Sequence, residues 1–116
     1  MTDDTKTTKG VKKIDRLLGT FRSGIGETIP MQVAHTFIVV ARQKSVTVNE
    51  LAELVGSTAS TVSRHLLDLS GTLRSGAPGY GLLDRVQDPT NLRVVHYSLN
   101  AKGRLLLNNL VDILED

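Results

Sequence analysis

The chain has 116 residues, a net charge of +2, 40% hydrophobic and 22% charged residues, and no Cys or Trp. That length and balance suit one domain with an ordinary core, built from Leu, Val and Ile because aromatics make up only 3%. Without Cys, a disulfide framework, a Cys-based zinc site and a thiol switch are excluded.

Residues 1–9 are rich in Thr, Asp and Lys and read as a flexible tail before a single domain over 10–116. The polar start lacks the apolar core of a signal peptide, and the longest strongly apolar run, Phe37 to Ala41, is too short to span a bilayer. A cytoplasmic chain with no membrane partner is expected. Lys6, Lys9, Lys12, Lys13, Arg16 and Arg22 crowd the N-terminal region, with Asp15 the only acid among them. Such a segment attracts phosphate even when the total charge is small.

Val11, Ile14, Leu17, Leu18 and Phe21 recur at helical spacing and predict a first helix over about 10–22. Ser23 to Gly26 closes it. A second helix is expected from Thr28 as N-cap, with Pro30 in its first turn and Val33, Phe37, Val40 and Ala41 as its buried stripe. Thr47-Val48-Asn49-Glu50 spells a capping box, and Gly56 is placed to stop the short helix that follows. Ser57 or Thr58 caps another, carrying Val62, Leu66 and Leu69. Two short helices about a Gly-containing turn, here over 47–70, form the helix-turn-helix pattern.

Gly76, Pro78, Gly79 and Gly81 make 73–81 a loop. Leu82 to Val86 and Arg93 to Leu99 read as strands around the turn Asp88-Pro89-Thr90-Asn91, giving a hairpin, or wing, over 81–99. From Asn100 to Asp116 a last helix carries Leu105, Leu106, Leu107, Leu110, Val111, Ile113 and Leu114. These cover more than one face, so this helix needs a second apolar surface, and with the first helix it predicts a dimer interface. The fold class expected is mainly α with a small β-hairpin wing: a winged helix-turn-helix with terminal helices that dimerise.

With Val62, Leu66 and Leu69 turned inward, Ser60 and Arg64 face out, Thr61 and Ser63 flank them, and Thr58 lies at the tip. Small hydroxylated side chains let a helix approach a major groove and bond phosphates or base edges, and Arg64 can grip guanine or a phosphate. On the wing, Asn91 and Arg93 complete the candidate DNA-binding set, since Arg reaches into a narrow minor groove. The bland alternative is a solvated face, with Arg93 paired to Asp88. No phosphate-binding glycine loop, metal-ligand spacing among His35, His65 and His96, or nucleophile motif is evident, so no cofactor and no enzymatic activity are expected.

The stretch Asp88-Pro89-Thr90-Asn91-Leu92-Arg93, then Tyr97-Ser98-Leu99-Asn100-Ala101-Lys102-Gly103, resembles the wing and last-helix start of the MarR family. Thr28 to Gln32 and Val48 to Val62 are similar to its second helix and helix-turn-helix. The resemblance implies a homodimeric regulator of double-stranded DNA, most often a repressor, in which Arg93 is the wing arginine and Arg64 a DNA contact. It also implies room for a small-molecule effector between the dimer helices and the DNA-binding lobe. Asn91 and Leu92 stand where the family often has a second Asp and Arg. The segment 70–80 is longer than usual, and Arg74 there would touch DNA or a partner, or ride on a surface insertion. A winged-helix protein–protein interaction module that does not bind DNA is the competing reading.

Overall fold

The computed structural model describes residues 4–71 and 78–116. Along the chain run α1 (Asp4–Gly24), α2 (Met31–Ala41), α3 (Val48–Val55), α4 (Ala59–Ser70), β1 (Leu83–Gln87), β2 (Val95–Leu99) and α5 (Ala101–Glu115). Arg74 and most of the 73–81 loop lie outside the described residues.

Two boundaries differ from expectation. Residues 4–9 are helical, not tail, because nothing between Thr5 and Lys9 interrupts the helix that Val11 to Phe21 sets up. Helix α2 starts at Met31 rather than near Thr28, and its N-cap is Pro30, extended at φ −62° and ψ 139°. The pyrrolidine ring fixes φ but not ψ, so Pro30 stays outside the helix while its carbonyl accepts from Val33 and Ala34 N–H.

The core collects Phe37 and Val40 of α2, Leu51 of α3, Val62, Leu66 and Leu69 of α4, and Leu82, Leu83 and Tyr97 of the hairpin. β1 and β2 pair antiparallel from Leu83↔Leu99 to Gln87↔Val95. Val46 joins the other edge of β2: its N–H and carbonyl bond the carbonyl and N–H of Tyr97 at 2.9 and 2.8 Å. The wing is thereby stitched to the residue just before the helix-turn-helix. Its other end is tied to α4, where the N–H groups of Tyr80, Gly81 and Leu82 donate to carbonyls of Asp68, Ser70 and Leu69.

Helices α1 and α5 pack on each other, and α5 also packs on the hairpin, where Leu106 and Leu110 join the same core. Leu106, Leu110 and Ile113 of α5 are buried. Lys13 donates to the carbonyl of Leu114, and Arg16 meets Asp116 at 2.6 Å, so basic α1 residues satisfy the negative end of α5. Val11, Ile14 and Leu18 of α1 and Leu105, Val111 and Leu114 of α5 stay exposed. Among the described residues, no helix is long and apolar enough to cross a membrane.

Candidate nucleic-acid interface

The capping box at the start of α3 is formed in both directions. Thr47 N–H donates to Glu50 Oε1 at 2.9 Å, and Glu50 N–H donates to Thr47 Oγ1 at 3.2 Å. The backbone bond from Thr47 holds the Glu50 carboxyl below its usual value. Gly56 ends α3 in the left-handed region at φ 68°, where a β-carbon is disfavoured. The turn is therefore tight, and α4 starts three residues later, at Ala59.

Thr58 is the N-cap of α4. Its Oγ1 accepts from Thr61 N–H at 3.2 Å and lies 2.9 Å from Thr61 Oγ1 and 3.3 Å from Ser60 Oγ. This hydroxyl network shapes the tip of α4, so Thr58 and Thr61 are partly committed within the chain. Val62, Leu66 and Leu69 are buried as expected, Ser60 is exposed, and Thr61, Ser63 and Arg64 are half-buried. Among the described residues Arg64 has no hydrogen bond or ion pair. Leu67, 38% exposed, shares this outer side and was not singled out in the sequence.

At the wing tip the Asp88 carboxylate accepts from Thr90 N–H at 2.8 Å and Thr90 Oγ1 at 2.6 Å, and its other oxygen meets His96 Nε2 at 3.1 Å. The Thr90 hydroxyl, then His96, then the Thr90 N–H hold this carboxyl far below the ordinary range. Asn91 Oδ1 accepts from Arg93 N–H at 3.2 Å, which makes Asn91 a turn-former. Arg93 does not pair with Asp88. Its guanidinium has no partner among the described residues.

Thr47, Asn49, Ser63, Arg85, Arg93 and Tyr97 line one groove of about 350 Å³ between α3, α4 and the wing. The two expected elements thus meet across a single concavity, and Ser63 and Arg93 share it. Arg85 was missed in the sequence. Strand alternation held the signal: position 85 shares a face with Leu83, which is buried against the core, so Arg85 looks toward the helix-turn-helix.

Two further cavities flank the lobe. One, of about 240 Å³, is lined by Gln32, His35, Thr36, Gly56, Thr61 and His65. Thr36 Oγ1 donates to the Gln32 carbonyl at 2.8 Å, which leaves it an acceptor toward His65 Nδ1 at 3.4 Å. Burial pushes the His65 pKa down, with Asp68 acting against it and Arg64 with it. The other, of about 510 Å³, lies between α1 and α2 against Leu18, Phe21, Ile29, Met31, Ala34 and Ile38, with Arg22 and Glu27 on its wall. That ion pair closes at 2.7 Å. Among the described residues no group of three or more His, Cys, Asp or Glu is arranged to hold a metal.

A short helix pair about a left-handed glycine, followed by a hairpin bonded to both ends of the pair, defines a winged helix-turn-helix protein. No family model matches the sequence, and no curated protein matches it either. Solved structures do. FabT of Streptococcus pneumoniae in complex with DNA is 25% identical with a TM-score of 0.66, over 96% of this chain and 71% of that one. The S. aureus MepR–DNA complex is 22% identical with a TM-score of 0.69, over 97% and 81%. A MarR variant from E. coli complexed with operator DNA is 20% identical with a TM-score of 0.63, over 96% and 71%. The chain has the winged-helix fold of the MarR-type regulators.

Proposed function

We propose that this chain is a transcriptional regulator that binds double-stranded DNA as a homodimer and represses by occupying a promoter. In this reading α4 enters the major groove with Ser60, Thr61, Ser63 and Arg64, and the wing delivers Arg93 to the minor groove. The observation that carries it is the pair of uncommitted guanidinium groups, Arg64 and Arg93, displayed by the two elements that the fold holds side by side. A cation with no internal partner keeps its full charge for phosphate or base edges. Thr58 and Asn91 serve the interface by shaping α4 and the turn. Regulators of this fold that were solved on DNA support the assignment.

The homodimer rests on the apolar residues that α1 and α5 leave exposed. The α1–α2 cavity has the size and apolar lining that suit a small-molecule effector, and Leu18 belongs both to it and to these exposed residues. An effector there would touch the dimer helices and the DNA-binding lobe together. A regulator of this kind works in the cytoplasm, alongside the DNA it binds.

Fluorescence anisotropy of labelled duplex DNA at two salt concentrations tests the reading. Salt-sensitive binding, weakened about tenfold or more by Arg93→Ala and by Arg64→Ala, is expected. If wild type shows no binding at low salt, the protein–protein interaction module takes its place.

A further inference from the structure

We infer that the groove between α3, α4 and the wing is a seat for one DNA backbone phosphate, and that Arg85, held by Tyr97, is the side chain that grips it. This rests on the DNA-binding reading and adds a contact to it.

Tyr97 and Arg85 are directly opposite in the hairpin register. The N–H and carbonyl of Tyr97 point away from β1, since both are bonded to Val46. Arg85 and Tyr97 therefore form a non-hydrogen-bonded pair, the closer of the two cross-strand geometries. The phenol ring is 2% exposed and fixed by the core. Its hydroxyl accepts from Arg85 Nε at 3.0 Å, and the guanidinium carbon lies 5.6 Å from the ring centroid. One edge of the guanidinium is thus occupied, and the terminal N–H groups have no partner among the described residues. That is a planar fork already ordered for a tetrahedral anion.

The surroundings favour a phosphate over a base. The groove walls hold two cations, Arg85 and Arg93, and no carboxylate, with the hydroxyls of Thr47 and Ser63 and the amide of Asn49 around them. A concavity of about 350 Å³ takes in a phosphodiester. Base edges are met by side chains that project, as Ser60 does from α4. The positive end of α3, at Val48 and Asn49, adds to the field without being needed to define the site.

The test is anisotropy of labelled duplexes of unrelated sequence, across a salt series, with wild type, Arg85→Ala, Arg85→Gln and Tyr97→Phe. Thermal melts by circular dichroism check that each variant is folded. Both Arg85 variants are expected to weaken binding about tenfold on every sequence and to lower the salt slope by about 1. Tyr97→Phe keeps the charge and the ring but frees the fork. It is expected to weaken binding about threefold with the salt slope unchanged, and to add nothing in the double variant with Arg85→Ala. Inorganic phosphate is expected to compete no better than chloride at equal ionic strength. Stronger competition would make the groove a free-phosphate site and overturn the inference. Wild-type binding that Arg85→Ala and Arg85→Gln leave intact, or weaken on one sequence only, removes the phosphate seat and leaves the regulator reading standing. Absence of wild-type binding removes both.

Discussion

Asp88 and His96 meet at 3.1 Å across the base of the wing turn, and this pairing is what leaves Arg93 free. The sequence leaves Asp88 open as a partner of Arg93, five positions on, as the bland alternative to a DNA contact. Instead the carboxylate turns back on Thr90 and His96, and Asn91 takes the Arg93 N–H. Asp88→Ala removes the acceptor that organises the turn but leaves every wing cation in place. Affinity for duplex DNA is expected to fall several-fold with little change in melting temperature, as measured by anisotropy and circular dichroism. Arg93→Ala should cost more, about tenfold, because it removes the contact itself. Equal binding by Asp88→Ala and wild type would show that the wing needs no ordering.

The helix-turn-helix was legible because its signals are local. Thr47 and Glu50 cap α3 through bonds spanning three residues, and Gly56 and Thr58 act within one turn. The hairpin was legible for the same reason, although its strands begin at Leu83 and Val95, a residue or two inside the expected span. What could not be read were choices set at a distance. Arg85 matters because Tyr97 is anchored on Val46, 51 residues away in chain order. The sequence offers Ser57 or Thr58 as the cap of α4, and the bonds to Ser60 and Thr61 show that Thr58 takes the role. The sequence expectation puts Pro30 inside α2 because φ alone does not separate a cap from a first turn.

Two glycines in helices should respond to alanine with opposite sign. A β-carbon at Gly103 would run into the carbonyl of Leu82, which is itself held by Asn100 N–H at 3.0 Å and cannot swing away. Gly103→Ala is expected to destabilise by about 2 kcal/mol, the scale of overpacking against a fixed neighbour. At Gly10 a β-carbon meets nothing, so Gly10→Ala should stabilise α1 by about 0.5 kcal/mol through backbone entropy alone. Urea unfolding of the two variants checks both. A neutral Gly103→Ala would mean that α5 can slide off the hairpin.

Acidification should weaken the fold through His65 at a higher pH than through Glu50 or Asp88. Burial lowers the His65 pKa in the folded chain, so the unfolded chain binds more protons and stability rises with pH. The contribution is fully present above about 6.5, the unfolded value, and is lost as pH falls from there through the lowered folded value. Asp68 and Arg64 on the same helix oppose one another in this shift, and His35 of α2 faces the same cavity. Glu50 and Asp88 are also held low, but their stabilisation persists above the carboxylate range and fails only at more acid pH. Chemical denaturation between pH 7.5 and 5 should therefore show a fall that His65→Gln flattens. A fall of unchanged size in that variant would assign it to another group.

The exposed apolar residues of α1 and α5 should form the surface on which two copies meet. Ile14 is 58% exposed, Leu105 62% and Leu114 58%, on helices whose inner sides are already packed together. Leaving that much Leu and Ile in water on a chain this small is unfavourable by roughly 25 cal/mol per Å². Leu105→Asp places a charge among these residues without touching the buried Leu106 or Leu110. Sedimentation velocity is expected to show a dimer for wild type and a monomer for Leu105→Asp, with unchanged helix content. DNA affinity should drop with it by more than any single wing change, because two half-sites on one duplex are gripped together only by linked lobes. Leu92→Asp, at the 68% exposed wing tip, serves as the control and should leave the dimer intact. A wild type that sediments as a monomer at micromolar concentration would sink the two-half-site arrangement. Each lobe would then have to hold DNA with Arg64, Arg85 and Arg93 alone.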